Sequence, residues 1–132
     1  MTGTFKAPPD LVEMEEMARA SLTTIPEPLR RFTENVVIRV EDFPDVDVAR
    51  EFDLDSPFDL LGLYRGVSLD QKSVSDPLGE VDMIWLYRRP ILDFWCETGD
   101  DLAHIVRHVL IHEIGHHFGF SDEDMDLIEE QA

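Results

Sequence analysis

The stretch LAHIVRHVLIHEIGHHFGFSDED, residues 102–124, decides how this chain is read. Leu102, Ile105, Val106, Val109 and Leu110 recur at the spacing of one apolar helix face, which predicts a long helix through His117 and Phe118. Ahead of it, TGDD offers Thr98 or Asp100 as the N-cap. Behind it, Gly119 stands where a left-handed residue closes a helix. Ser121 with Asp124 three residues on has the form of a capping box, so a last short helix should run to the C-terminus.

On such a helix His112 and His116 differ by only about 40° around the axis and about 6 Å along it, so two imidazoles can converge on one ion. Zinc takes imidazole nitrogen at about 2.0–2.1 Å and, in catalytic sites, three protein ligands with one position left open. Glu113 is turned about 100° from His112, off the bond line to the ion and on the flank where a water would sit, the place for a general base. The third ligand must come from beyond the helix. Gly119 lets the chain reverse without a steric penalty, and Asp122, three residues later, can then bring a carboxylate back. The expected metal ligands are His112, His116 and Asp122, with Zn2+ as the cofactor and Glu113 as the catalytic residue.

Other histidines compete for these roles. His104, His108, His112 and His116 form a ladder at four-residue intervals, and His108 with His112 is a rival pair. That pair lacks a glutamate placed like Glu113 and lies a turn from the Gly119 reversal, so His104 and His108 are expected at the surface or supporting the site. His117 is read first as a helix-end cation. The plain alternative is that all these histidines are ordinary helix residues satisfied by water or acids.

Working outward, Asp10 with Glu13 forms a capping box, and Met14, Met17, Ala18, Leu22 and Ile25 follow at helical spacing before Pro26. NVVIRVED then alternates as a half-buried strand. The acidic, proline-containing segment EDFPDVDVAREFDLDSPFD predicts a long connection with at most a turn of helix. LLGLYRGVSL reads as a second strand, DQKSVSDPLGE as a hairpin-type loop, and VDMIWLYRR as a third strand that stops before Pro90; ILDFW adds a helical turn. The fold class is α+β, a small sheet of about three or four strands packed against an N-terminal helix and the helix of residues 102–117. No repeat or second domain is visible, and residues 1–132 are read as a single domain.

Composition narrows the function. Eleven basic against 29 acidic residues give a net charge of −18, which disfavours nucleic acid and anionic membranes and favours cations or basic partners. Most of these acids are read as solvated surface. The lone Cys96 excludes an internal disulfide and a thiolate zinc cluster, and is read as a small buried core residue. With no signal-peptide run and no apolar segment of membrane-spanning length, a cytoplasmic location is expected.

At this point the residues carry a resemblance. HEIGHHFGFSD resembles the zincin pattern H-E-x-x-H-x-x-G-x-x-D, metzincin-like with Asp in place of the usual third His. NVVIRVEDFP, LLGLYRGVSL, IWLYRRPIL and HEIGHHFGFSDEDMDLIE, in this order, resemble the small bacterial family of minimal zincin-like metallopeptidases, from about residue 30 nearly to the end. The resemblance implies a stripped-down zincin lobe with a helix and short sheet over the motif helix. It also implies His112, His116 and Asp122 as metal ligands and Glu113 as the catalytic glutamate. Only ten residues follow Asp122, too few for the methionine-containing turn and C-terminal lobe of larger metzincins, so Met125 is not equated with that methionine. Tyr64, Tyr87, Arg88 and His117 are candidates for stabilising an oxyanion. The third strand is a candidate open edge for an extended peptide.

Three readings of function follow. The first is a zinc-dependent metallopeptidase that hydrolyses a peptide or protein substrate through metal-activated water, with Glu113 as base. The second is a metal-binding, catalytically silent interaction module whose acidic surface engages a basic partner. The third is an acidic phosphate mimic with an incidental motif, which the charge supports weakly.

Overall fold

The computed structural model describes residues 7–34, 36–66 and 82–130. Helix α1 (Leu11–Leu22) starts at Asp10, whose carboxylate accepts from Glu13 N–H at 2.8 Å while the Glu13 side chain accepts from Asp10 N–H at 3.0 Å. This is the capping box read from the sequence. After a 3-10 turn at Arg30–Phe32 come β1 (Val36–Glu41), α2 (Val46–Glu51), β2 (Gly62–Arg65), β3 (Asp82–Tyr87), α3 (Arg88–Thr98), α4 (Leu102–His117) and α5 (Asp122–Glu130). The three strands form one sheet of order β1-β3-β2, with β1 parallel and β2 antiparallel to β3. The architecture is α+β, as expected. The hairpin-type loop expected at residues 70–80 lies outside the described residues.

The strand order corrects one expectation. β3 is the central strand, paired on both sides, so it offers no edge; among the described residues the edges belong to β1 and β2. Its burial follows from that position. Ile84 and Leu86 are fully buried and Tyr87 nearly so, whereas β1 buries only Ile38. One face of the sheet is covered by α1 and α4. Met14 and Ala18 of α1 meet Ile38, Ile84 and Leu86 of the sheet and Ile105, Val106, Leu110 and Ile114 of α4 in one core, closed at its far end by Met125 and Ile128 of α5. Burial of about 25 cal/mol per Å2 of apolar surface holds these layers together.

Four local expectations also change. The segment after β3 is a helix of 11 residues, not one turn, because Pro90 falls in its first turn, where no intrahelical N–H is needed. Gly99, at φ +69°, ends that helix, and α4 is capped one residue later than expected, by Asp101, whose carboxylate accepts from Ala103 N–H at 3.3 Å. α3 buries Pro90, Ile91 and Leu92 and packs Trp95 partly buried against the core, whereas Cys96, the next residue, is exposed rather than buried. The acidic connection also carries more order than a single turn: Asp45 caps the six-residue α2 through Val48 N–H at 2.8 Å. Among the described residues no helix is long and apolar enough to cross a membrane.

Candidate metal centre

The long helix α4 is apolar over most of its circumference: Ile111 and Ile114 join the five residues expected, and Gly115 is buried with them. What remains is a narrow stripe carrying the histidine ladder. This helix must approach the sheet closely, and Gly62 permits it: a Cβ there would lie 2.7 Å from Val109 Cγ1 and 3.1 Å from the Trp85 carbonyl oxygen. The close approach carries Glu113 against β2, where its carboxylate accepts from the Tyr64 backbone N–H. That N–H therefore points away from β3, toward the open side of β2. Burial pushes the Glu113 carboxyl up to about 7, against the opposing pull of the His116 charge and the Tyr64 hydrogen bond.

The end of α4 is built as a complete Schellman motif. Gly119, at φ +85°, donates to the His116 carbonyl at 3.2 Å, and Phe120 N–H donates to the Gly115 carbonyl at 2.9 Å. Ser121 then caps α5: its hydroxyl accepts from Asp124 N–H at 3.1 Å, and the Asp124 carboxylate lies 3.5 Å from Ser121 N. Both turns were legible in the sequence. Their product is that Asp122, the first residue of α5, returns its Oδ1 to 3.1 Å from His116 Nε2.

A second contact fixes the angle at which α5 leaves. Met125 is fully buried, and its Sδ lies where a Cβ on Gly115 would be only 2.2 Å away. Gly115 thus makes room for Met125, and Met125 seats α5 under α4. The glycine inside the H-E-x-x-H stretch is a packing residue that positions Asp122.

His112, His116 and Asp122 each bring one donor atom within 4.8 Å of the others. Two imidazole nitrogens and one carboxylate oxygen are a donor set suited to zinc, and three protein ligands leave one position for another group. The set also opens outward: His112 is 19% exposed, His116 56% and Asp122 82%. The structure therefore brings together the three residues expected as ligands and sets Glu113 on the buried flank of the same helix.

The remaining candidates fall differently. The Tyr64 hydroxyl donates to Asp82 at 2.6 Å, and burial and that carboxylate hold its phenol above the ordinary range. Tyr87 is buried, and Arg88 is engaged by the Pro9 carbonyl at 2.7 Å and Asp42 at 3.2 Å. His117 is exposed and stacks on Tyr64 with ring centroids 4.1 Å apart, so its place is set by packing on β2 as well as by the helix end. His104 lies exposed nearer the start of α4.

One residue was not anticipated. Glu129, only 15% exposed, receives both His112 Nε2 and His108 Nδ1 at 2.8 Å. The signal was present in the phase of α5: Asp122, Met125 and Glu129 fall on one face of a helix, and Met125 is apolar. The side of α5 that buries Met125 must also turn Asp122 and Glu129 toward the histidine ladder. His108, expected at the surface or in support, is thereby drawn into a cluster of its own.

A helix carrying H-E-x-x-H beside a short mixed sheet, followed by a glycine reversal and a returning carboxylate, places this fold among the zincin-like proteins. The chain belongs to the zincin-like metallopeptidases, a family it matches over residues 33–132. Comparison with curated proteins finds no significant match.

Proposed function

We propose that this protein is a zinc-dependent peptidase of minimal zincin type, with His112, His116 and Asp122 as the metal ligands and Glu113 as general base. The observation that carries this reading is the convergence of the three donors within 4.8 Å on the helix that also holds Glu113. Zinc, when bound, supplies the Lewis acidity that activates water and polarises a scissile carbonyl.

The chain's own residues supply the rest. A Glu113 carboxyl that titrates near neutrality can accept a proton at Oε from attacking water and return it to the leaving nitrogen. The Tyr64 N–H holds that carboxylate in place. β2, an edge strand among the described residues, lies beside it and offers an extended peptide a backbone to pair with. This moves the expected edge from the third strand to the second.

The test uses the full chain reconstituted with zinc and a quenched fluorescent peptide library. Glu113→Gln should keep its zinc and lose hydrolysis by about 100-fold or more, the scale of general-base catalysis. Hydrolysis by Glu113→Gln at the wild-type rate would overturn the assignment of the base. Zinc content unchanged by His112→Ala would overturn the site. A wild-type chain that holds zinc and cleaves none of the library favours the silent interaction module instead.

A further inference from the structure

The histidine ladder of α4 faces two carboxylates of α5, and they divide it between them. Asp122 takes His116 at 3.1 Å, while Glu129 takes His112 and His108 at 2.8 Å each. We propose that His108, His112 and Glu129 form a second divalent-cation site, which shares His112 with the first and is therefore filled only at its expense.

Geometry supports a site over a plain ion pair. One nitrogen from each histidine and one Glu129 oxygen lie within 4.8 Å of one another. A tetrahedral ion with ligands at about 2.1 Å spaces them about 3.4 Å apart, so small side-chain rotations close the gap. The His108 and His112 rings lie side by side, with centroids 4.1 Å apart and planes tilted by 34°, and aim at the same carboxylate. Glu129 is mostly buried at 15% exposure, and among the described residues no lysine or arginine forms an ion pair with it. A carboxylate withdrawn from water beside two imidazoles is a donor set of the same class as the first, selecting zinc-like ions over calcium or magnesium.

The sharing has a consequence. The nitrogen that meets Glu129 is His112 Nε2, and one nitrogen lone pair serves one ion at a time. An ion held by His108 and Glu129 sits a turn away from Glu113, on the other side of His112, and leaves His116 and Asp122 with no third ligand. The second site is thus an alternative seat for the metal, one without a general base.

Cobalt(II) absorption distinguishes the sites without relying on activity. The full chain, stripped with chelator and checked by circular dichroism, would be titrated with Co2+ in four forms: wild type, His116→Ala/Asp122→Ala, the same form with Glu129→Gln added, and His108→Ala/Glu129→Gln. The substituted positions His116, Asp122 and His108 are exposed, so folding is expected to survive. The His116→Ala/Asp122→Ala form should still bind about one equivalent with visible ligand-field bands. Adding Glu129→Gln to it should weaken binding more than 10-fold, beyond the low end of what loss of a supporting hydrogen bond costs. Wild type should saturate at about one equivalent, since His112 is common to both sites. A folded His116→Ala/Asp122→Ala form that binds no cobalt overturns the second site, and two equivalents in wild type overturn the exclusion. The His108→Ala/Glu129→Gln form reports on the first site alone, so failure of the proposed function is read separately.

Discussion

Glu113→Gln in the metal-free protein should raise stability at alkaline pH, by an amount that follows from the Glu113 environment. In the folded chain its carboxyl titrates near 7 instead of 4.5, because burial penalises the charge. Below 4.5 the group is protonated in both folded and unfolded states and contributes no difference. Between 4.5 and 7 the folded state holds a proton that the unfolded state has lost, so stability falls as pH rises through this window. At 1.36 kcal/mol per pH unit, ionised Glu113 costs the fold about 3 kcal/mol at pH 8 and less than about 1 kcal/mol at pH 5. Glutamine keeps the shape, and its carbonyl can still accept from Tyr64 N–H, but it carries no charge to bury. In a thermal melt with chelator, the variant should lead wild type by about 10 °C at pH 8, taking about 3 °C per kcal/mol for a chain of this size. The lead should shrink to about 3 °C at pH 5, and added zinc should shrink it at pH 8 by favouring the Glu113 anion. Equal melting temperatures at pH 8, or a lead as large at pH 5 as at pH 8, would refute the assignment of a partly buried carboxyl whose charge the Tyr64 hydrogen bond and His116 do not fully offset.

Three further substitutions probe the scaffold. Gly115→Ala gains about 1 kcal/mol of helix propensity but puts a methyl 2.2 Å from Met125 Sδ and 2.8 Å from its Cγ, an overpacking worth about 1–3 kcal/mol. Net destabilisation, weaker zinc binding and partial rescue by Met125→Ala are expected in melts and metal titrations; a stabilised Gly115→Ala would refute the packing role. Gly62→Ala, with its Cβ 2.7 Å from Val109 Cγ1, should part β2 from α4 and bring the Glu113 titration, followed by NMR, back toward the ordinary carboxylate range. Asp122→Ala removes a side chain that is 82% exposed, so stability should change by less than about 1 kcal/mol. Its zinc affinity should nevertheless fall at least about 10-fold, as isothermal titration would show.

The legible parts of this fold are those specified by local hydrogen bonding. The Asp10–Glu13 box, the Gly119 reversal and the Ser121–Asp124 cap each occupy a few consecutive residues, and each is found where the sequence put it. The cap of α4 was ambiguous because Thr98, Asp100 and Asp101 are all cap-forming residues; Gly99 closing α3 settles it on Asp101. Pro90 was read as the end of a strand, yet proline is equally suited to the first turn of the helix that follows. Strand order lies outside any local pattern: β3 becomes central by pairing with its predecessor β2 on one side and, skipping over β2 in the chain, with β1 on the other. Glu129 was lost for a related reason. In the run from Asp122 to Glu130 it looks like one solvated acid among several, and only the packing of Met125 and Ile128 beneath α4 distinguishes it. The candidate ligands were legible because α4 and the first residue after one tight turn carry them all, whereas Glu129 lies near the far end of α5 and meets the histidines only through the docking of that helix along its length.

Everything proposed for this site depends on His112, His116 and Asp122 holding the metal. Anomalous diffraction at the zinc edge, from crystals of the zinc-reconstituted chain, tests it most directly. A peak is expected about 2.0–2.2 Å from one nitrogen of His112, one nitrogen of His116 and one oxygen of Asp122. A peak bound by other residues only, or one that leaves Asp122 beyond bonding distance, would contradict it.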